Sequence, residues 1–145
     1  MEKLQATLDA VLDTLNQLGS ILSEEQTLLC AGHINSIALQ KVTDTKSATL
    51  ATVQYLDKNR QEIEARLQLQ APYESDTELF ERWQAIQTLT ARLHDMNKHN
   101  GLLLNQHITY TNEAIAILKP RHGQSLYGPD GQSSGLVVGG RKINL

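Results

Sequence analysis

The sequence predicts an all-α protein: an antiparallel helical hairpin, a long third helix packed with it as a three-helix bundle or coiled coil, and a disordered C-terminal tail. Apolar residues recur at helical spacing in three long segments between residues 2 and 119. Aromatic residues make up only 4% of the 145 residues, with one Trp and one Phe. Any core must therefore consist mainly of Leu, Ile, Val and Ala, which favours helices packed on helices.

The first predicted helix spans about residues 2–30. Its apolar residues alternate at spacings of four and three, which is an a/d heptad seam interrupted only by Glu25. The seam consists of Leu4, Leu8, Val11, Leu15, Leu18, Leu22 and Leu29. Such a pattern is typical of a helix that packs lengthwise on another. Gly32 is the candidate left-handed C-cap, and Asn35 or Ser36 is the candidate N-cap of the next helix.

The second predicted helix spans about residues 36–68, and the short connection makes it antiparallel to the first. Its seam is Leu39, Val42, Lys46, Leu50, Val53, Leu56, Arg60, Ile63 and Leu67. Pro72 stops this helix, and the stretch "SDTE" at residues 75–78 predicts a capping box that opens a third helix over residues 76–119. Pro120 then ends the third helix.

The third helix is too long for its partners. At 1.5 Å per residue it measures about 63 Å if unbroken, against about 43 and 50 Å for the other two. Its C-terminal end would then carry uncovered apolar surface, which a partner helix could cover. The predicted partner-binding residues are Leu103, Leu104, Ile108, Thr111, Ile115 and Leu118. The alternative is a bend at Gly101 that folds the segment back into a closed four-helix bundle, and spacing alone favours neither.

Residues 120–145 form a separate, tail-like region. They contain six of the nine glycines, and residues 119–145 carry 4 basic and 1 acidic side chains, against 9 basic and 15 acidic in residues 1–118. Few apolar side chains accompany so much glycine, so the segment is predicted to be disordered in isolation and to order on a partner. The candidate docking residues are Tyr127, Val137, Val138, Arg141 and Lys142.

Several polar residues interrupt the apolar seams. Asn97 and Asn100 predict either a satisfied register lock or a break between a core half and a partner half of the third helix. Lys46 and Glu25 fall within about a turn of each other and predict either an ion pair or two side chains that reach solvent separately. Cys30, the only cysteine, predicts a small buried apolar residue, with a reactive thiol as the alternative.

Composition excludes several classes of function. A net charge of -3 supplies no basic field for nucleic acid. The N-terminus lacks the basic and apolar regions of a signal peptide, and no apolar run approaches a membrane span, so a soluble cytoplasmic protein without stable membrane insertion is expected. No catalytic motif is present, and Asp95 and His99 have no third ligand that would complete a metal site. We therefore expect no enzyme, no cofactor and no metal.

Five stretches together resemble the FlgN family of flagellar export chaperones, in order and at compatible spacing. They are "LQKVTDTKSATLATVQYL", "RWQAIQTLTARLHDMNKHNGLLLNQHI", "AIAILKP", "SLYGPDGQ" and "GGRKINL", which cover most of residues 39–145. The first helix matches only in being an amphipathic leucine helix. The connector "QLQAPYESDTELF" has no counterpart, and "GLVV" makes the tail more apolar than a simple linker.

The resemblance implies a bacterial cytoplasmic chaperone that binds the C-terminal helical segments of hook-filament junction proteins. It would prevent their premature assembly and deliver them to the flagellar type III export apparatus. The tail itself is expected to dock on the export gate and its ATPase complex or on the client. The chain would be a monomer or weak homodimer. Two alternatives share the fold: a structural coiled coil that self-associates without a client, and a secretion-system adaptor.

Overall fold

The computed structural model describes residues 1–118, and these residues form three helices and no strand. Helix α1 is Glu2–Cys30, α2 is Ser36–Leu67 and α3 is Thr77–Leu118. The predicted all-α fold is confirmed. The predicted starts of all three helices and the predicted ends of the first two lie within one residue of the observed ones, and the predicted end of the third at residue 119 lies outside the described residues. Residues 119–145, which include every predicted docking residue of the tail, lie outside the described part.

Helix α1 is the central element. It packs against both other helices, whereas the backbones of α2 and α3 do not approach each other within the described residues. All seven seam residues of α1 are at most 3% exposed, because α2 and α3 both cover this stripe: Leu4, Leu8, Val11, Leu15, Leu18, Leu22 and Leu29. The heptad seam of α1 therefore packs against helices of the same chain.

Side-chain contacts define the direction of each helix. Arg82 of α3 contacts Asp9 near the start of α1, and His107 contacts Leu29 near its end, so α3 runs parallel to α1. Lys46, about a third of the way along α2, pairs with Glu25 near the end of α1, so α2 runs antiparallel to it. The short connection of residues 31–35 requires this reversal.

One of the three predicted helix caps is found in the structure, and the other two differ. Asn35 caps α2 as predicted, because its side chain accepts a hydrogen bond from the backbone N–H of Ala38 at 3.1 Å. The end of α1 does not use a left-handed Gly32; Ala31 follows the helix in extended conformation. The N-terminus of α3 is capped by Asp76, which accepts from the N–H of Leu79 at 3.2 Å, and not by Ser75. A carboxylate suits this end better because of the helix dipole.

The α2–α3 connector is folded onto the core. It starts with Gln68 in left-handed conformation (φ 56°), whose N–H bonds back to the Glu64 carbonyl. The Ala71–Pro72 peptide bond is cis, and Tyr73 has φ 61° and is 2% exposed. Tyr73 therefore belongs to the hydrophobic core, together with helix residues such as Trp83.

Helix α3 continues without interruption through Gly101. The alternative of a bend at Gly101 and a four-helix bundle is therefore wrong. The neighbouring Asn100 is 2% exposed and donates to the carbonyl of Leu22 at 2.9 Å, which holds this part of α3 against α1. Because α1 ends at Cys30, residues 108–118 extend past it by about 16 Å.

Cys30 is exposed, so the prediction of a buried cysteine is wrong. The seam of α1 passes through Leu29, which is 3% exposed. The next residue is rotated by about 100° around the helix and points away from the seam.

Candidate functional site: the projecting end of the third helix

Residues 102–118 are the last part of α3, and we call them the projecting end because residues 108–118 pass the end of α1. Five of the six predicted binding residues share one face of the projecting end. With about 100° of rotation per residue, Leu104, Ile108, Thr111, Ile115 and Leu118 lie within a sector that continues the seam of α3. Leu103 lies about a quarter turn away from Leu104. We call the five residues on this sector the seam face.

Exposure varies along the seam face. Leu104 and Ile108, next to the last turn of α1, are half-buried, as is Ile115. Thr111 is exposed, and Leu118 is 79% exposed. Leu103, beside this face, is also half-buried. The projecting end thus keeps the apolar spacing of a packed helix beyond the point where α1 stops.

A polar cluster lies just below the projecting end and joins all three helices. The Nζ of Lys46 lies 3.1 Å from Glu25 Oε1, and Asn100 Nδ2 donates to the same oxygen at 2.9 Å. Glu25 is 7% exposed. The predicted ion pair is confirmed, and Asn100 is a satisfied register lock, because one alignment of the helices satisfies all three side chains. Asn97 is half-buried.

His107 holds the root of the projecting end. Its Nε2 lies 2.7 Å from the carbonyl oxygen of Leu29, in the last turn of α1. Carbonyls in the last turn lack partners within their own helix, so an imidazole N–H that donates here satisfies one of them. Because α1 ends at Cys30, one residue after Leu29, α3 extends past it from this level onward.

A second polar cluster lies at the opposite end of the molecule, around Arg60, which is 1% exposed. Its Nε donates to Asp57 Oδ1 at 2.7 Å, and its Nη1 donates to Glu64 Oε1 at 2.8 Å and to the hydroxyl of Tyr73 at 3.2 Å. Its guanidinium carbon lies 4.6 Å from the ring centre of Trp83, a cation–π distance.

The remaining contacts of this cluster fix the connector. Glu64 Oε2 accepts from the N–H of Ala71 at 2.8 Å, and the rings of Tyr73 and Trp83 meet edge to face with centres 5.9 Å apart. Sequence reasoning missed this cluster because Arg60 reads as a polar interruption of the α2 seam. The available signal is the i, i+3, i+7 spacing of Asp57, Arg60 and Glu64, which places the three on one face.

Burial and hydrogen bonding shift two pKa values in this cluster. Burial alone would lower the pKa of Arg60, but its hydrogen bonds to Asp57 and Tyr73 outweigh burial, and the pKa is raised above its usual value. Burial raises the pKa of the Tyr73 hydroxyl from 10.0 to about 12, although the hydrogen bond from Arg60 opposes this. Both groups therefore keep their protons at neutral pH.

The raised pKa of Tyr73 predicts a loss of stability at alkaline pH. The folded state holds the phenolic proton more tightly than the unfolded state, so this contribution is complete below pH 10.0 and is lost as the pH rises through about 12. The free energy of unfolding should fall by up to about 3 kcal/mol from this group. Denaturant titrations on either side of this range measure the fall.

Two tyrosine variants separate this effect from the general titration of lysines. Tyr73→Phe has no ionisable hydroxyl and should show a smaller alkaline loss than the unmodified chain. Tyr55→Phe, at a position that is 65% exposed, should leave the loss unchanged. Equal pH profiles for the unmodified chain and Tyr73→Phe would contradict the assignment.

The described residues hold neither a metal-binding cluster nor a membrane-crossing helix. Residues 1–118 contain no group of three or more His, Cys, Asp or Glu side chains placed to hold a metal ion. None of α1, α2 and α3 combines the length and the hydropathy of a membrane-crossing segment.

The fold and the projecting end define a class of small all-α protein, in which a third helix extends past a helical hairpin and carries apolar side chains on that extension. The sequence pattern of the family described as FlgN protein matches residues 1–135. The chain belongs to the FlgN family.

Curated relatives match along the whole chain, and each is named flagella synthesis protein FlgN. The relative from Yersinia enterocolitica serotype O:8 is 49% identical over 145 residues, which cover 100% of this chain and 99% of the relative. The relatives from Salmonella typhimurium and Escherichia coli K12 are 40% and 36% identical over 145 residues, with 100% of both chains covered in each case. The names of these relatives describe a part in flagellum synthesis and no enzymatic reaction.

Proposed function

We propose that this protein is a cytoplasmic export chaperone of the bacterial flagellum. It binds the C-terminal helical segments of hook-filament junction proteins, prevents their premature assembly and delivers them to the type III export apparatus. Membership of the FlgN family, whose curated relatives are named for flagella synthesis, supports the flagellar part of this proposal. The projecting end of α3 supports the binding part.

The observation that carries the proposal is the seam face beyond the end of α1. Ile108, Ile115 and Leu118 keep the spacing that packs against α1 lower down, but α1 ends at Cys30. An amphipathic helix of the client would take the place of α1 along this stretch and continue the bundle. Each square ångström of apolar area removed from water would contribute about 25 cal/mol before the costs of association.

The interior of the molecule argues against a self-associating coiled coil. Such a protein would need its heptad seam at the surface, yet the α1 seam is at most 3% exposed and is covered by the chain's own helices. The heptad residues of α1 are therefore not available at the surface for association with a second chain. A secretion-system adaptor would share the fold and differ in its partner.

The tail residues complete the proposal. Tyr127, Val137, Val138, Arg141 and Lys142 would form a short docking segment that orders on the export gate or on the client. An aromatic side chain beside the turn sequence of residues 128–131 offers a compact anchor with few rotatable bonds.

Replacing Ile108 or Ile115 with Asp should weaken client binding by about 2 kcal/mol or more, which is about thirtyfold in Kd. A charge on the seam face would have to be buried under the client helix. Isothermal titration with a purified junction protein measures Kd, and circular dichroism checks that the variants remain folded. Thr88→Asp adds the same charge at an exposed position of α3 far from the projecting end, and it should bind normally.

Light scattering coupled to size-exclusion chromatography tests the class of function. A defined complex that disappears when the client lacks its C-terminal helix is the expected result. Concentration-dependent self-assembly without co-elution would instead favour the structural coiled coil. Unchanged client affinity in folded Ile108→Asp and Ile115→Asp would place the binding surface elsewhere.

A further inference from the structure

The projecting end of α3 carries three further exposed large apolar side chains, among polar residues, on its opposite side. We call this side the outer face, and all six of its residues are exposed: Leu102, Gln106, Thr109, Tyr110, Glu113 and Ile117. Its three large apolar side chains are 51%, 74% and 80% exposed. Helical geometry places this face about half a turn away from the seam face. A client helix on the seam face would leave it uncovered.

The apolar character of the outer side of α3 starts abruptly. Before Leu102, the outward positions of this helix include Glu81, Arg92, Asp95 and His99, all exposed. No exposed large apolar side chain precedes Leu102 on α3. The part of α3 before residue 102 therefore has a polar outer side, and only the projecting end carries large apolar side chains on both sides. A helix of that kind is usually covered on both sides.

We propose that residues 119–145 of the same chain bind the outer face when no other partner is present. The segment begins directly after Leu118, so its starting point is the end of this face. Leu102 lies about 24 Å back along the helix. A chain of 27 residues can extend about 90 Å, so it can reach the whole outer face and has length to spare.

Composition and charge suit the segment to this surface. Its large apolar residues are Leu126, Tyr127, Leu136, Val137, Val138, Ile143 and Leu145. Its net charge is +3, against -6 for residues 1–118. Arg141 and Lys142 would lie near Glu113, the one acidic residue among residues 102–118. The attraction should weaken with added salt because Glu113 is exposed to solvent.

The covalent connection makes a weak contact sufficient. A short flexible connection gives an effective concentration of about millimolar, so a contact with a Kd near this value is about half formed in the free protein. One consequence rests on the proposed function: a docking segment held on α3 would become available to the export gate only when the gate competes for it. The contact itself does not depend on the client or on the flagellum.

The experiment places a spin label on either side of the projecting end of the full chain. Thr109→Cys labels the outer face, and Thr111→Cys labels the seam face two residues away; both carry Cys30→Ser to remove the native thiol. The readout is the NMR signal intensity of Tyr127, Val137 and Val138. We expect a greater loss of intensity from the label at position 109, and we expect Tyr110→Ser with Ile117→Ser to abolish the difference.

Several outcomes would overturn the proposal. They are equal losses from the two labels, a greater loss from position 111, or a difference that persists in the double serine variant. The control for association is a mixture of two kinds of chain. One carries the spin label and no isotope label, and the other carries the isotope label and no spin label. If the loss of signal arises between molecules, the outer face binds a second copy and not its own tail. Because the experiment contains no client, its outcome is independent of the proposed chaperone activity.

Discussion

Arg60→Met should lower the free energy of unfolding by about 3–5 kcal/mol, the range for breaking a buried ion pair by removing one partner. Asp57 is 0% exposed and receives two of its hydrogen bonds from the Arg60 guanidinium, at 2.7 and 3.3 Å. Methionine matches the length and much of the volume of the arginine stem but leaves this carboxylate without its cation. Chemical denaturation followed by the fluorescence of Trp83, the only tryptophan, measures the change.

A surface ion pair provides the matched control. Arg82 lies 2.8 Å from Asp9, but the two side chains are 25% and 52% exposed, so Arg82→Met should cost less than about 1 kcal/mol. The double variant Asp57→Leu with Arg60→Met should recover much of the loss, because it removes both buried charges together. If Arg60→Met cost no more than Arg82→Met, the buried network would not be holding the connector in place.

The helices could be predicted from the sequence because two regular signals agree. The a/d seam of α1 predicted which side chains are buried, and Asn35 marked the start of α2. The start of α3 was misplaced by one residue because Ser75 and Asp76 are both good N-caps and lie side by side. The preference for Ser and Asp as N-caps does not by itself predict which of these two adjacent residues caps α3.

The projecting end could also be predicted, because the rise per residue of a helix is fixed. Helix lengths alone showed that α3 must pass the end of α1 unless it bends. The choice between the two depended on contacts with α1 on both sides of Gly101. Asn100 bonds to Leu22 and Glu25 before it, and His107 contacts Leu29 after it. Sequence spacing identifies Asn100 as polar within a seam, but it does not identify the carbonyl that accepts its bond.

The cluster around Arg60 could not be predicted by the same means. Its assembly depends on Tyr73, which reaches Arg60 only because residues 68–76 fold back on the core with left-handed backbone at Gln68 and Tyr73. Positive φ is uncommon for residues other than glycine, and no residue pattern marks these two positions for it. The exposed Cys30 shows a different limit, since residue type suggested burial and position in the helix decided against it.

Trp83→Ala should be the other variant with a large effect, lowering the free energy of unfolding by about 3–5 kcal/mol. Trp83 is 1% exposed and meets both the Arg60 guanidinium and the Tyr73 ring, so its indole joins α3 to α2 and to the connector. Removing it leaves a cavity beneath the connector and also ends the cation–π contact. Denaturation followed by circular dichroism measures the change, since this variant has no tryptophan.

Phe80→Ala is the control on the same helix. Phe80 is half-buried, so this truncation should cost about 1–2 kcal/mol, and similar losses for the two variants would contradict a special role for Trp83. Because Trp83 and Arg60 touch, the loss of stability in the double variant Trp83→Ala with Arg60→Met should be smaller than the sum of the single losses.

Trp83 lies about 48 Å along α3 from Ile115, so Trp83→Ala should leave client affinity unchanged wherever the variant is folded. The cluster around Trp83 would then stabilise the end of the bundle that carries the α2–α3 connector, while the seam face at the other end binds the client.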